Sequence, residues 1–355
     1  MFRVRVPSDV SLRSVSAGRL AGLLAAVLTV AGVPTAARAE AVVLNYNVFG
    51  PPREVTIGIE VAAEAFKAAT NGEYEIKIAY GSALGPEKQT PESVKAGAYD
   101  GGQMCAGYYP NKFPLLSVME LPFLAPADLE ARAKVEYAVV QHPLIVKEMA
   151  ERWNIKALAP ALLPAYEFMG NKRIAAVDDV KGVKMRISGL NARALQVFGA
   201  VPTMVTAPEA YTALERGTID SFGFPYTYAF GAYKLYEVSE YVTEGVAMSG
   251  FMCWQGISLD AWNKLPKAQQ DELPTLWQTA AAKMIEAYDA ADKKWLPIFH
   301  ERLEVSTWPS SERRKLAAGA ESIWADWVKE QEAAGRPARE ILDFVKEQVA
   351  RHTAD

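Results

Sequence analysis

Residues 181–189 read Lys-Gly-Val-Lys-Met-Arg-Ile-Ser-Gly, and residues 206–220 read Thr-Ala-Pro-Glu-Ala-Tyr-Thr-Ala-Leu-Glu-Arg-Gly-Thr-Ile-Asp. The first stretch carries a strand at 182–187, followed by a helix over 191–198 that Gly199 closes. A second strand is predicted at 201–205. Thr206 and Glu209 then have the spacing of a capping box, opening a helix that ends at Gly217. Strand, helix, strand and helix within forty residues predict a mainly parallel sheet covered by helices.

The same design stands about 120 residues earlier. Residues 41–48 read as a strand, and 54–70 as a helix terminated by Asn71-Gly72. In 74–80, Tyr74, Ile76 and Ile78 alternate with Glu75 and Lys77, the period of a half-buried strand. A helix follows Thr90, with Pro91 at its first position and Glu92 beside its positive end, and closes at Gly97. The helix exits match: Val94-Lys-Ala-Gly97-Ala-Tyr-Asp100 and Leu214-Glu-Arg-Gly217-Thr-Ile-Asp220. Two similar halves imply two α/β lobes with a cleft between them. Residues 158–168 and 248–259 are apolar enough to cross between lobes as long strands. The lobes are therefore expected to interleave, one comprising 40–163 and 252–292, the other 164–251 and 293–355. Residues 271–296 have helical spacing, with Pro297 as a stop, and at 1.5 Å per residue would span roughly 38 Å, enough to brace both lobes. Two more helices are expected at 310–334 and 337–351. Seven of the eight tryptophans fall between Trp254 and Trp327 and read mostly as packing anchors.

At the amino end, Arg3, Arg5, Arg13 and Arg19 precede a 14-residue apolar run, 20–33, then Pro34 and Ala37-Arg38-Ala39. This is the pattern of a secretory signal peptide over 1–39, too short for a membrane span, which needs roughly 20 residues. Cleavage after Ala39 removes five arginines and Asp9, moving the formal charge from −4 to −8. The expected product is an exported, soluble, periplasmic protein. Export permits a Cys105–Cys253 disulfide. The 148-residue separation gives it no support, however, and two buried free thiols are the favoured expectation.

The chain is half hydrophobic with 23% charged residues, a globular balance, and its pI of about 5.7 leaves no footprint for general nucleic-acid binding. His142, His300 and His352 are too dispersed for a local zinc site, and no metal or cofactor is expected. There is no GxSxG, HExxH, GxxxxGK[ST] or GxGxxG motif. Catalytic residues are not expected, and an enzyme is the weaker reading. Arg186 stands out because it sits near the carboxyl end of a strand, where open α/β folds bind ligands. A guanidinium there can clasp a carboxylate through two parallel hydrogen bonds. A surface arginine paired with a nearby aspartate is the competing reading.

Three strings carry a family likeness: Asp178-Asp-Val-Lys-Gly-Val-Lys-Met-Arg186, Phe198-Gly-Ala-Val-Pro202, and Glu209 to Asp220. With Ser82-Ala-Leu-Gly-Pro-Glu87 and Glu120-Leu-Pro-Phe123, they resemble the solute-binding receptors of tripartite ATP-independent periplasmic (TRAP) transporters, of the dicarboxylate-receptor type. The likeness runs in order from about residue 41 to 300. It implies a two-lobed periplasmic-binding-protein fold with a long lobe-spanning helix. It also implies a monomer that closes over a small organic anion and delivers it to TRAP-type membrane subunits. Arg186 falls where the family clamps the ligand carboxylate. Tyr46, Glu87 and Tyr108 fall near strand ends and turns that face the cleft in relatives. Two departures bear on the ligand. Residues 158–170 lack the arginine that some relatives carry there. Phe224, before Pro225, stands where many have asparagine. With Tyr226, Tyr228 and Trp254 nearby, Phe224 suggests an apolar wall suited to an aromatic or bulky anion. A receptor of another transporter class and a secreted hydrolase are the alternatives.

Overall fold

The computed structural model describes residues 40–109, 111–187 and 189–353. The predicted signal peptide, 1–39, lies outside them. In chain order the strands are β1 (Val42–Asn47), β2 (Tyr74–Ala79), β3 (Gly101–Cys105), β4 (Ile155–Pro160), β5 (Tyr166–Gly170), β6 (Lys184–Arg186), β7 (Val201–Pro202), β8 (Ser221–Pro225), β9 (Tyr241–Glu244), β10 (Cys253–Ser258) and β11 (Glu304–Thr307). They form two sheets, in the orders β2-β1-β3-β10-β4 and β11-β9-β5-β8-β6-β7. Each sheet is parallel except for one strand that runs against both neighbours: β10 in the first and β5 in the second. These reversed strands lie where the chain passes from one sheet to the other.

The two helix exits are built alike. Gly97 and Gly217 take φ of +72° and +66°, a left-handed cap that glycine adopts without a Cβ clash. Asp100 and Asp220 then fold back on the neighbouring strand. The Asn45 amide donates to Asp100 Oδ2 (2.7 Å) and the Lys184 amide to Asp220 Oδ2 (2.9 Å). Each aspartate amide returns a bond to the same residue's carbonyl. The registers agree, with Tyr46 opposite Gly101 and Met185 opposite Ser221. Residue for residue, the end of β1 matches the end of β6, and Asn47 corresponds to Arg186.

Several elements depart from the sequence expectation. The two long crossing strands are broken. Strand pairing stops at Pro160 and resumes at Tyr166, and Pro164 in the gap has no N–H to give a ladder. On the return, a lone bridge from Met248 to Tyr166 precedes β10, which starts at Cys253. The predicted strand at 201–205 is paired only over Val201–Pro202. Thr206 and Glu209 do meet, but the Thr206 amide and hydroxyl both donate to the carboxylate, and the helix begins only at Ala210. The long helix runs Lys267–Arg302, 36 residues or about 54 Å, and Pro297 does not stop it. Proline leaves the carbonyl of residue 293 without its partner, but Lys293 and Pro297 are both exposed, so water can satisfy it. Phe299, fully buried among Phe230, Tyr226 and Tyr236, holds the last turn in place.

The long helix packs on the helix Ile57–Ala69, on β4 and on the short helix Tyr228–Ala232, so it touches elements of both sheets. Helix Ser310–Ala333 lies on Gly189–Val197, while the last helix, Ala338–Thr353, lies on Leu129–Val140. A large apolar core runs through both sheets, and a second cluster, with Tyr46, Phe66 and Trp277, fills the space between the first sheet and its helices.

Candidate functional site

The carboxyl ends of β1, β3, β6 and β8 converge on one narrow cavity, of about 30 Å³. Arg186, only 1% exposed, lines it. Its Nε donates to the Val205 carbonyl (2.8 Å) and its Nη1 to the Gly223 carbonyl (3.1 Å). The guanidinium lies 4.0 Å from the Phe224 ring centre and 5.3 Å from that of Phe251. Cation–π contact of this kind steadies a charge that burial otherwise penalises. Nη2 makes only a long bond, 3.5 Å, to Tyr108 Oη. That hydroxyl also accepts from the Ala207 amide (3.1 Å), leaving its proton uncommitted to either bond. Burial raises the Tyr108 pKa, so the hydroxyl stays protonated. Among the described residues, no carboxylate forms an ion pair with Arg186, and none lines the cavity.

Of the residues singled out in the sequence, Arg186, Tyr108, Phe224 and Tyr228 meet here. Tyr228 is buried, its ring 5.0 Å from Tyr288. Tyr46 is elsewhere: its hydroxyl donates to Gln255 Oε1 and accepts from the Gly256 amide, and its ring packs near Trp277. Trp254 is completely buried against Phe113 (4.8 Å) and Tyr109, away from the cavity. Both sit on strands next to the site, but their side chains serve the cores. Glu87 occupies an outer groove with Ser82, Thr206 and Glu209, accepting a hydrogen bond from the Ser82 hydroxyl.

The cavity also holds residues that the sequence reading passed over. Arg53 follows the Pro51-Pro52 turn at the end of β1 and is 8% exposed. Its Nη1 donates to the carbonyls of Phe49 and Pro51, and its guanidinium lies over Phe49 (4.9 Å) and Tyr233 (5.6 Å). Gln103, 1% exposed, has neither amide atom bonded, and the buried Tyr233 hydroxyl has no partner. Burial raises the Tyr233 pKa to about 12. The signal for Arg53 was available: like Arg186, it is an arginine near the carboxyl end of a strand and ahead of a helix, here in the loop after β1. Phe251 reaches the cavity beside Gly107, where a Cβ would come within 2.4 Å of its ring.

One wall is covalent. Cys105 and Cys253 form a disulfide, with Cα atoms 4.0 Å apart, which corrects the expectation of two free thiols. Separation along the chain was the wrong measure. β10 lies antiparallel beside β3 with Cys253 opposite Cys105, and the Ala106 amide bonds to the Met252 carbonyl one step on. The cysteines therefore form a non-hydrogen-bonded pair, where facing side chains stand closest. Among the described residues, no group of three or more His, Cys, Asp or Glu side chains gathers as a metal site.

Two α/β sheets, linked by reversed strands and enclosing a cationic, aromatic cavity, define a receptor for a small solute. The family of bacterial extracellular solute-binding proteins, family 7, matches residues 48–331, and the chain belongs to it. That family comprises binding receptors rather than enzymes. Among curated relatives, a monocarboxylate 2-oxoacid-binding periplasmic protein of Nostoc sp. is 28% identical over 66% of this chain and 64% of its own length. A TRAP periplasmic solute-binding protein from Desulfovibrio salexigens, solved with orotic acid, superposes with a TM-score of 0.78 at 24% identity, over 88% of this chain and 99% of that one. Another from Rhodoferax ferrireducens, with copurified benzoate, gives 0.77 at 21% identity over the same shares. The fold is that of the two-lobed TRAP solute-binding proteins. No helix among the described residues is long and apolar enough to cross a membrane.

Proposed function

We propose that this chain is the periplasmic receptor of a TRAP transporter, capturing an organic carboxylate through Arg186 and passing it unchanged to membrane subunits. The observation that carries the reading is a guanidinium 1% exposed, facing a cavity without a carboxylate partner. A buried arginine is costly unless something anionic meets it. Orotic acid, benzoate and 2-oxoacids, named for the compared proteins, all carry a carboxyl group. The cavity as described has room for about one water molecule. A solute therefore needs the facing strand ends to part before it enters and to close afterwards. In this reading one lobe comprises 40–163 and 252–292, the other 164–251 and 293–355, with the last helix laid back onto the first lobe. The protein acts as a monomer after cleavage at Ala39.

Thermal-shift screening of organic acids, with mass spectrometry of whatever copurifies, identifies ligands, because a solute bound only to the folded state raises its melting temperature. Calorimetry on Arg186→Gln then tests the clasp. Affinity is expected to fall on the order of a hundredfold or more, and unchanged affinity would overturn the assignment. Recovery of the bound acid chemically intact separates a receptor from a hydrolase.

A further inference from the structure

We infer that the solute is a dianion with a planar body, an aromatic dicarboxylate in chemical class, held at its second carboxylate by Arg53. The inference rests on the Arg186 reading and adds a second anchor to it. The cavity is lined by two guanidinium groups and no carboxylate, one from the loop after β1 in the first sheet and one from β6 in the second. Among the described residues neither arginine has an ion-pair partner. Of the acids nearest Arg53 in sequence, Glu60 accepts from Thr56 and Tyr80, while Glu54, close enough to feel the Arg53 charge, makes no ion pair with it and is not on the lining. Two buried positive charges facing one space favour two negative charges in it, since a monoanion would leave one cation uncompensated in a low-dielectric site.

Around Arg53 stand the donors a second carboxylate would use. Nη1 is committed to backbone carbonyls, which fixes the fork while leaving its other nitrogens unassigned. A Cβ on Gly50 would meet both Tyr233 Oη (2.4 Å) and Arg53 Nη1 (3.0 Å), which places the unpartnered hydroxyl beside the guanidinium. The unbonded amide of Gln103 lines the same space. Rings also border each cation, Phe49 and Tyr233 at Arg53, Phe224 and Phe251 at Arg186. A rigid, flat body docks beside such an aromatic lining at little conformational cost, whereas a flexible chain must give up rotamer freedom.

Calorimetry on the full mature chain with benzoate, phthalate, terephthalate and succinate provides the test. Phthalate or terephthalate is expected to bind tighter than benzoate by on the order of a hundredfold, the scale for a buried charge pair, with succinate weaker than either. Arg53→Gln should weaken the aromatic dicarboxylates far more than benzoate and so collapse that preference. Arg53→Lys, which keeps the charge, should restore part of it. Benzoate binding as tightly as both aromatic diacids would overturn the inference. So would equal losses for benzoate and diacids in Arg53→Gln, and succinate matching terephthalate would overturn its planar part. The reading beneath it fails differently: none of the carboxylates binds wild-type protein, or Arg186→Gln leaves benzoate binding intact.

Discussion

The first and second sheets end a strand beside the same turn, yet put different side chains at that end, and only the second sheet's lines the cavity. In each, a helix ends on a left-handed glycine, an aspartate folds back onto the amide of a strand residue, and the strand ends two residues later. In the first sheet that last residue is Asn47, whose amide donates to the Gly85 carbonyl. In the second it is Arg186, whose Nε and Nη1 donate to the carbonyls of Val205 and Gly223. Both side chains tie down neighbouring loops, and asparagine is consumed by that task. Arginine has donors to spare, so the same position can both brace its loops and present charge. The first sheet supplies its own cation later, from Arg53 in the loop beyond β1, where the backbone rather than the strand register sets its position.

The sharpest way to break this comparison is to give the second sheet the first sheet's residue. Arg186→Asn should cost on the order of 2–5 kcal/mol of carboxylate affinity in calorimetry. It should do so with little change in far-ultraviolet circular dichroism, since Asn47 shows that the matched position tolerates a short amide. The disulfide, present only in the first sheet, sets the next effect. Cys105→Ser with Cys253→Ser should lower stability by about 2–4 kcal/mol in denaturant unfolding, and reductant should reproduce the loss in the wild type.

Buried acids in the two halves differ as well. Burial lifts Glu120, with one carboxylate oxygen unpartnered, to about 8. Glu167 reaches about 7, although Thr243 and the amides of Gly245, Val246 and Ala247 all donate to it. Both values lie above the unfolded value of 4.5. The folded state therefore holds more protons between these limits, and stability is full below about pH 4.5 and falls as pH rises through 7 and 8. Melting followed against pH should show a decline of several kcal/mol, with Glu167→Gln lessening the part up to pH 7 and Glu120→Gln lessening the part up to pH 8, which the buried Glu136 shares. The smallest effect tests the likeness itself. Gly97→Ala and Gly217→Ala have open space around the added methyl, so each should cost only the left-handed strain, about 1–2 kcal/mol. Unequal costs in parallel melts would show that the two exits are not equivalent.

Much of this architecture was legible in local sequence because the signals were local. Glycine at a left-handed cap, alternation in 74–80 and the strand-turn position of Arg186 each need only a few neighbours. What depended on distant partners was not legible. Trp254 and Tyr46 carry the same sequence signature as Phe224 and Tyr228, and which of them reach the cavity depends on the sheet partners and helices that cover each face. The Cys105–Cys253 pairing needed the register of β10 on β3. Pro297 would stop a helix in a dry environment but not on a face where water meets the freed carbonyl. Arg53 obeyed the rule that selected Arg186 and was missed because a Pro-Pro turn reads first as punctuation.

The position of β10 also dictates when this protein can be finished. Within the first sheet, β4 pairs with β10 alone, and β10 is separated from β4 in the chain by almost the whole second sheet. Once residues 40–160 have emerged on the far side of the membrane, four of the five strands are present, but β4 has no neighbour until residues 253–258 follow. The order of synthesis and the order of folding are thus out of step. The first half must wait as an incomplete sheet with an open edge, the kind of exposed strand that invites wrong pairing, and it closes only when the second half has already been made. A truncation after residue 160 should consequently be no folding unit at all, however complete its share of the cavity looks on paper.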